Sequence, residues 1–210
     1  MKPPIPDRAA DPVGDAPLVN LPNALTVLRV LCVPLLGILL WADDGTGGAA
    51  RDAAAIVFVL ASITDLMDGA IARRYGLVTT FGKVADPIAD KALTGVALIG
   101  LSLLGDLSWW VTGIILVREV GVTLLRFWVI EHGVIPASRG GKLKTLAQTV
   151  AIAMYLVDVP DITWWPTASA VVMGVAVLLT IGTGIDYVVR AVRLRRQPIP
   201  TQSRLGVHRA

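Results

Sequence analysis

Six long apolar stretches dominate this 210-residue chain. They run at roughly 21–42, 53–72, 84–104, 109–131, 143–158 and 164–189, with short polar links between them. A bilayer-crossing helix needs about 20 predominantly apolar residues, and the chain has room for about seven such helices at most. The expected fold is therefore all-α, a polytopic membrane bundle of six transmembrane helices over 21–190. It is flanked by a disordered cytoplasmic N-terminal tail over 1–20 and a basic cytoplasmic C-terminal tail over 191–210.

Composition narrows the class further. Hydrophobic residues make up 54% of the chain and charged residues only 17%. Soluble domains average about 25% charged. That balance excludes a soluble enzyme, a disordered protein and a nucleic-acid binder. A net charge of +3 is too diluted to make a nucleic-acid-binding surface. The single cysteine, Cys32, lies inside an apolar run and has no intrachain partner. Met1 to Asn20 carries five prolines and no apolar core, so it does not read as a signal peptide.

The links alternate in charge. Asp43, Asp44, Arg51 and Asp52, then Asp106, then Asp158 and Asp161 fall on one side. Arg73, Arg74 and Lys83, then Arg139, Lys142 and Lys144, then the basic tail fall on the other. The positive-inside rule places the second set in the cytoplasm, together with both termini. Trp109, Trp110, Trp164 and Trp165 mark the opposite interface.

Ionisable side chains inside apolar spans cost several kcal/mol or more, so they are functional candidates by default. The second and third stretches hold Asp65, Asp68, Asp86 and Asp90. Asp65 and Asp68 are three apart, and Asp86 and Asp90 are four apart, so each pair shares a helix face. A short link from Tyr75 to Phe81 makes the two helices antiparallel neighbours, with both pairs at their cytoplasmic ends. Four converging carboxylates repel one another unless a cation joins them. Hard divalent ions with oxygen ligands, two Mg²⁺ or Mn²⁺, fit that need and can grip a pyrophosphate. Gly69 and Ala72 leave a small-residue groove beside the carboxylates, and Arg73 stands one turn away, in reach of a phosphate. A divalent-cation transporter is the alternative of a different class. The carboxylates lie at one membrane edge, however, and no inverted repeat accompanies them.

Read as one pattern, Asp65-Leu-Met-Asp68-Gly69-Ala-Ile-Ala72-Arg73, eight residues, Gly82, three residues, Asp86, three residues, Asp90 resembles the signature of the CDP-alcohol phosphotransferase family. The resemblance implies displacement of CMP from a CDP-activated lipid or alcohol by an acceptor hydroxyl. It implies that Asp65, Asp68 and Asp86 hold two metal ions, and that Asp90 is the general base and also touches a metal. It implies that Gly69, Arg73 and Thr79 hold the CDP portion of the donor, with Ala72 and Gly82 in the same set. Asn23, Thr26 and Arg29, three apart on one face at the start of the first span, are further CDP-diacylglycerol candidates. Helix capping and snorkelling compete for them. A homodimer is also implied by the resemblance.

The signature does not name the acceptor. Arg139, Lys142 and Lys144 cluster after the fourth span, with Gln148 following, and Arg118 and Arg126 lie within that span with Glu119. Such groups suit a phosphate-bearing acceptor, and Arg118, Arg139, Lys142 and Lys144 are the candidates to hold it. A plain positive-inside loop is the other reading. Within the family, Asn20-Leu-Pro22-Asn23-Ala-Leu-Thr26-Val-Leu-Arg29, the Arg118-Glu119 pair and Gly141-Lys142-Leu-Lys144-Thr145 look like the subgroup that transfers the phosphatidyl group from CDP-diacylglycerol to sn-glycerol 3-phosphate. An inositol-phosphate acceptor is the nearest rival. Asp186 is expected to pair with Arg190, one turn on.

Overall fold

A computed structural model describes residues 20–43, 45, 47–75, 79–129, 139–157, 159 and 161–196. The regular structure among them is helical: α1 Leu21–Ala42, α2 Ala49–Tyr75, α3 Thr80–Leu103, α4 Trp109–Val129, α5 Arg139–Leu156 and α6 Trp165–Arg196. Each helix covers one apolar stretch. The ends differ in an instructive way. α2 takes in Arg51 and Asp52 at one end and Arg73 and Arg74 at the other, because helical hydrogen bonding continues where apolar burial stops. α6 continues to Arg196, so the start of the basic tail is helical. Arg193, Arg195 and Arg196 in its last turn complement the negative end of the helix dipole. The N-terminal tail over residues 1–19 and the remaining C-terminal tail over 197–210 lie outside the described residues.

Two helices, α1 and α6, are long and apolar enough to cross a membrane. The other four carry charges along their length: Asp65 in α2, Asp86, Asp90 and Lys91 in α3, Arg118 and Glu119 in α4, Lys142 and Lys144 in α5. Large apolar side chains face outward from the helices, among them Leu31, Ile38, Val117, Leu124 and Leu178. An exposed apolar surface of that kind marks an interaction face. With α1 and α6, it gives a membrane-associated protein.

The helices form two compact units. In the first, α1 packs along both α2 and α3, and α2 and α3 touch each other far less. Leu36 and Leu40 of α1, Phe58 of α2, and Leu93, Leu98 and Leu101 of α3 fill its interior. A Cβ on Gly100 would stand 2.5 Å from Leu40 Cδ1, so glycine is what lets α3 close on α1 there. In the second unit α4 packs on α6 around Ile115, Met173, Ala176 and Thr180.

Candidate active site

The candidate site of the first unit is organised by the opening of α1. Asn20 caps the helix, its side chain accepting from the Asn23 backbone N–H at 2.8 Å, and Pro22 sits in the first turn. That start fixes the register. Asn23, Thr26 and Arg29 then share one face, and all three are buried.

Each of the three reaches across to a different part of the site. The Thr26 hydroxyl lies 2.5 Å from Asp86 Oδ1 of α3, and its alternative partner, the Pro22 carbonyl, is 3.0 Å away. Arg29 Nη1 stands 2.6 Å from Asp65 Oδ1 of α2 and 4.0 Å from Asp86 Oδ1. The Arg29 side chain is fully buried, whereas those of Asp65 and Asp86 are 36% and 39% exposed. The guanidinium thus closes the inner side of the carboxylate pair and leaves the outer side open to a ligand.

Asn23 fixes the start of α3. Thr79 caps that helix by accepting from the Gly82 N–H at 3.0 Å, while its own hydroxyl donates to Asn23 Oδ1 at 2.8 Å. A Cβ on Gly82 would lie 3.2 Å from Asn23 Oδ1 and 3.3 Å from Thr79 Oγ1. Gly82 is therefore the residue that lets this corner close. Asp90 follows Asp86 by one turn and is half-buried. Pro87, between them, has no N–H to give the Lys83 carbonyl, so the helix ladder is interrupted beside the carboxylates.

Asp68, Gly69, Ala72 and Arg73 continue α2 one to two turns beyond Asp65, and their side chains lie outside the described residues. Among the described residues no group of three or more His, Cys, Asp or Glu side chains gathers at one point. What is brought together is the pair Asp65 and Asp86, one from each aspartate-bearing helix, through their shared partner Arg29. Two half-exposed carboxylates that share Arg29 as partner are hard oxygen donors, and their chemistry fits a hard divalent cation.

The second unit holds a separate ionic cluster. Arg118 Nη1 donates to Glu119 Oε1 at 3.0 Å, and the Lys144 ammonium, 4% exposed as a residue, donates to the same oxygen. Arg118 Nη2 also donates to Thr183 Oγ1 of α6 at 3.2 Å. Two of the four candidate acceptor cations, Arg118 and Lys144, are thus brought together on a carboxylate. Lys142 is exposed, and the Arg139 side chain lies outside the described residues. Asp186 pairs with Arg190 at 2.9 Å, as its spacing requires. Sequence reasoning passed over two roles: Glu119 as the hub of its cluster, and Arg29 as the bridge between aspartates. A buried lysine in an apolar helix needs an anion, and that was the available signal for Glu119.

Residues 19–182 match the family model described as CDP-alcohol phosphatidyltransferase. A probable phosphatidylglycerophosphate synthase of Mycobacterium tuberculosis is 53% identical over 180 residues, covering 86% of this chain and 85% of the relative. A CDP-diacylglycerol–glycerol-3-phosphate 3-phosphatidyltransferase of Rickettsia typhi is 39% identical over 171 residues, 80% of this chain and 94% of its own. The enzyme of the same name from Bacillus subtilis is 37% identical over 182 residues, 81% of this chain and 94% of its own. The matched region spans α1 to most of α6 and includes every aspartate of the α2–α3 pattern, so the chain belongs to the CDP-alcohol phosphatidyltransferase family.

Proposed function

We propose that this protein transfers the phosphatidyl group from CDP-diacylglycerol to sn-glycerol 3-phosphate, giving phosphatidylglycerophosphate and CMP. The observation that carries the reading is the 53% identity to a relative named for that product, across 86% of this chain. The family reaction breaks a phosphoanhydride and forms a phosphodiester. A hydroxyl oxygen of the acceptor attacks the lipid-bearing phosphorus, its proton goes to a base, and CMP leaves.

The residues divide that work. Asp65, Asp68 and Asp86 are the candidates to hold two Mg²⁺ or Mn²⁺ ions. When bound, the ions supply positive charge that stabilises the pyrophosphate as the bond to CMP breaks. Asp90 takes the acceptor proton and is a further candidate ligand. Gly69, Ala72 and Arg73 in α2, with Asn23, Thr79 and Gly82 at the α1–α3 corner, hold the CDP portion. Arg73 offers a fork to a phosphate. Arg118, Arg139, Lys142 and Lys144 hold the acceptor phosphate.

In this reading all six helices cross the bilayer. Both termini and the aspartates lie on the cytoplasmic side of the cell membrane, and the protein works as a homodimer. The charge alternation of the links supports that topology, and a soluble donor headgroup with a soluble acceptor explains a site at the cytoplasmic edge.

An acceptor panel tests the proposal. Purified protein with CDP-diacylglycerol and Mg²⁺ is offered glycerol 3-phosphate, inositol 1-phosphate, inositol or serine, and the lipid formed is identified. Phosphatidylglycerophosphate is the expected product. Preferential formation of an inositol-phosphate lipid overturns the acceptor. Mn²⁺ uptake into sealed vesicles with no CMP release overturns the enzyme.

A further inference from the structure

We propose that Arg29 is a resident counter-cation of the metal site, which holds Asp65 and Asp86 in position at the expense of metal affinity. The inference rests on the reading of these carboxylates as metal ligands. It departs from the expectation that Arg29 contacts the nucleotide.

Three observations carry it. Arg29 is fully buried, and its Nη1 lies 2.6 Å from Asp65 and 4.0 Å from Asp86. An arginine tied down in that way is not extended toward a bound nucleotide. Arg29 approaches Oδ1 of both carboxylates and Thr26 donates to Oδ1 of Asp86, while Asp86 Oδ2 faces Gly82 at the start of α3. α1 thus fixes the rotation of the Asp86 carboxylate and leaves its second oxygen to others. Finally, among the described residues one guanidinium charge stands against the two carboxylates Asp65 and Asp86. It relieves the repulsion between them in the metal-free protein.

The same charge works against a metal. Any cation held by Asp65 and Asp86 shares them with the guanidinium, and like charges in a partly buried place repel strongly. Neutralising Arg29 therefore makes the carboxylates better ligands and worse-held ones. The expected signature is unusual for a variant at an active site: tighter metal binding with slower turnover.

The test reads metal binding directly. Metal-stripped full-length protein in nanodiscs is titrated with Mn²⁺, and free ion is followed by electron paramagnetic resonance. Arg29→Gln is expected to bind Mn²⁺ at least about tenfold more tightly than wild type, given the size of a charge–charge term at these separations. Its kcat falls, and its KM for CDP-diacylglycerol stays near wild type. Arg29→Lys keeps the charge, so its Mn²⁺ affinity stays close to wild type. Its turnover is still low, because a single ammonium lacks the fork that reaches both carboxylates.

Should Arg29→Gln not survive metal stripping, it is purified in Mn²⁺ and ion loss to a chelator is timed; slower loss than wild type is the same signature. Equal or weaker Mn²⁺ binding in Arg29→Gln overturns the proposal. If donor KM rises with it, Arg29 is a nucleotide contact; if KM is unchanged, its role is packing. Wild-type Mn²⁺ binding that survives Asp65→Asn and Asp86→Asn unaltered would instead remove the metal reading itself.

Discussion

Arg51 and Asp43 form a buried ion pair at the end of the first unit remote from the candidate active site. Arg51 Nη1 lies 3.0 Å from Asp43 Oδ2, and the Asp43 side chain is wholly inaccessible. The same guanidinium reaches Asp106 at 2.5 Å and donates to the Tyr155 and Leu156 carbonyls at 2.9 and 3.2 Å. One side chain from the first turn of α2 thus ties together the end of α1, the α3–α4 link and the last turn of α5. The last α5 carbonyls have no further helix N–H to accept, and Arg51 supplies one to each of these two.

Arg51→Met is therefore expected to destabilise the protein far more than a surface substitution. Breaking a buried pair takes the guanidinium charge away from the inaccessible Asp43 carboxylate and costs about 3–5 kcal/mol. Thermal unfolding in detergent measures this as a clear drop in Tm. The double variant Arg51→Met, Asp43→Leu should recover part of the loss, since the buried charge goes with its partner. A Tm equal to wild type for Arg51→Met would mean that partners other than Arg51 satisfy Asp43.

Asp65→Asn, Asp68→Asn and Asp86→Asn are each expected to abolish phosphatidyl transfer while the protein still inserts and folds. Amides keep the shape of the site and remove the charge that a divalent ion requires. Excess EDTA should also stop turnover, and Mg²⁺ or Mn²⁺ should restore it. CMP release assayed on CDP-diacylglycerol checks both, and full turnover in excess EDTA would end the two-metal reading.

The aspartates were legible in sequence because a charge inside an apolar run has few inexpensive explanations. Helical spacing then put Asp65 with Asp68 and Asp86 with Asp90. The role of α1 was not legible in the same way. An Asn, a Thr and an Arg at the start of a helix serve equally well as caps, snorkelling groups or ligand contacts. What distinguishes them is a contact between Thr26 and Asp86, 60 residues apart, and such contacts leave no local trace. The spacing also suggested that α2 and α3 would pair directly, whereas α1 packs along both and joins their carboxylates through Arg29. Glu119 was hidden for a related reason: its neighbour Arg118 was visible, but Lys144 is on another helix.

Asp90→Asn separates proton transfer from metal binding. Asp90 lies one turn beyond Asp86, past the break that Pro87 makes in the helix ladder. The variant should keep CDP-diacylglycerol binding and lose transfer by at least the ~10²-fold that follows removal of a general base. Donor binding is measured by equilibrium dialysis with labelled donor in nanodiscs, and transfer by lipid product. Loss of donor binding as complete as in Asp65→Asn would make Asp90 chiefly a ligand.

The acceptor prediction depends on choosing cations whose loss does not unfold the protein. Lys144 and Arg118 are poor choices, because both are committed to Glu119, and removing either leaves that carboxylate underpaired. Lys142 is exposed, so Lys142→Ala leaves no buried partner behind. Arg139 opens α5 two residues before Gly141 and is tested beside it. A charge-assisted hydrogen bond contributes roughly 1.5–3 kcal/mol. If Lys142 or Arg139 holds the acceptor phosphate, its loss should raise the KM for glycerol 3-phosphate, or lower kcat/KM, by about tenfold to 150-fold. The KM for CDP-diacylglycerol should stay near wild type, because the proposed donor site lies at α2 and α3 and not in this loop. Lys142→Arg is not expected to restore full activity, since a planar fork replaces a compact charge. A loop that is basic only to fix membrane orientation predicts the opposite, with single neutralisations leaving both KM values unchanged. Measuring both constants for Arg139→Ala and Lys142→Ala decides between them. Unaltered acceptor kinetics in both variants would remove the loop from the acceptor site and leave the choice of glycerol 3-phosphate resting on relatedness alone.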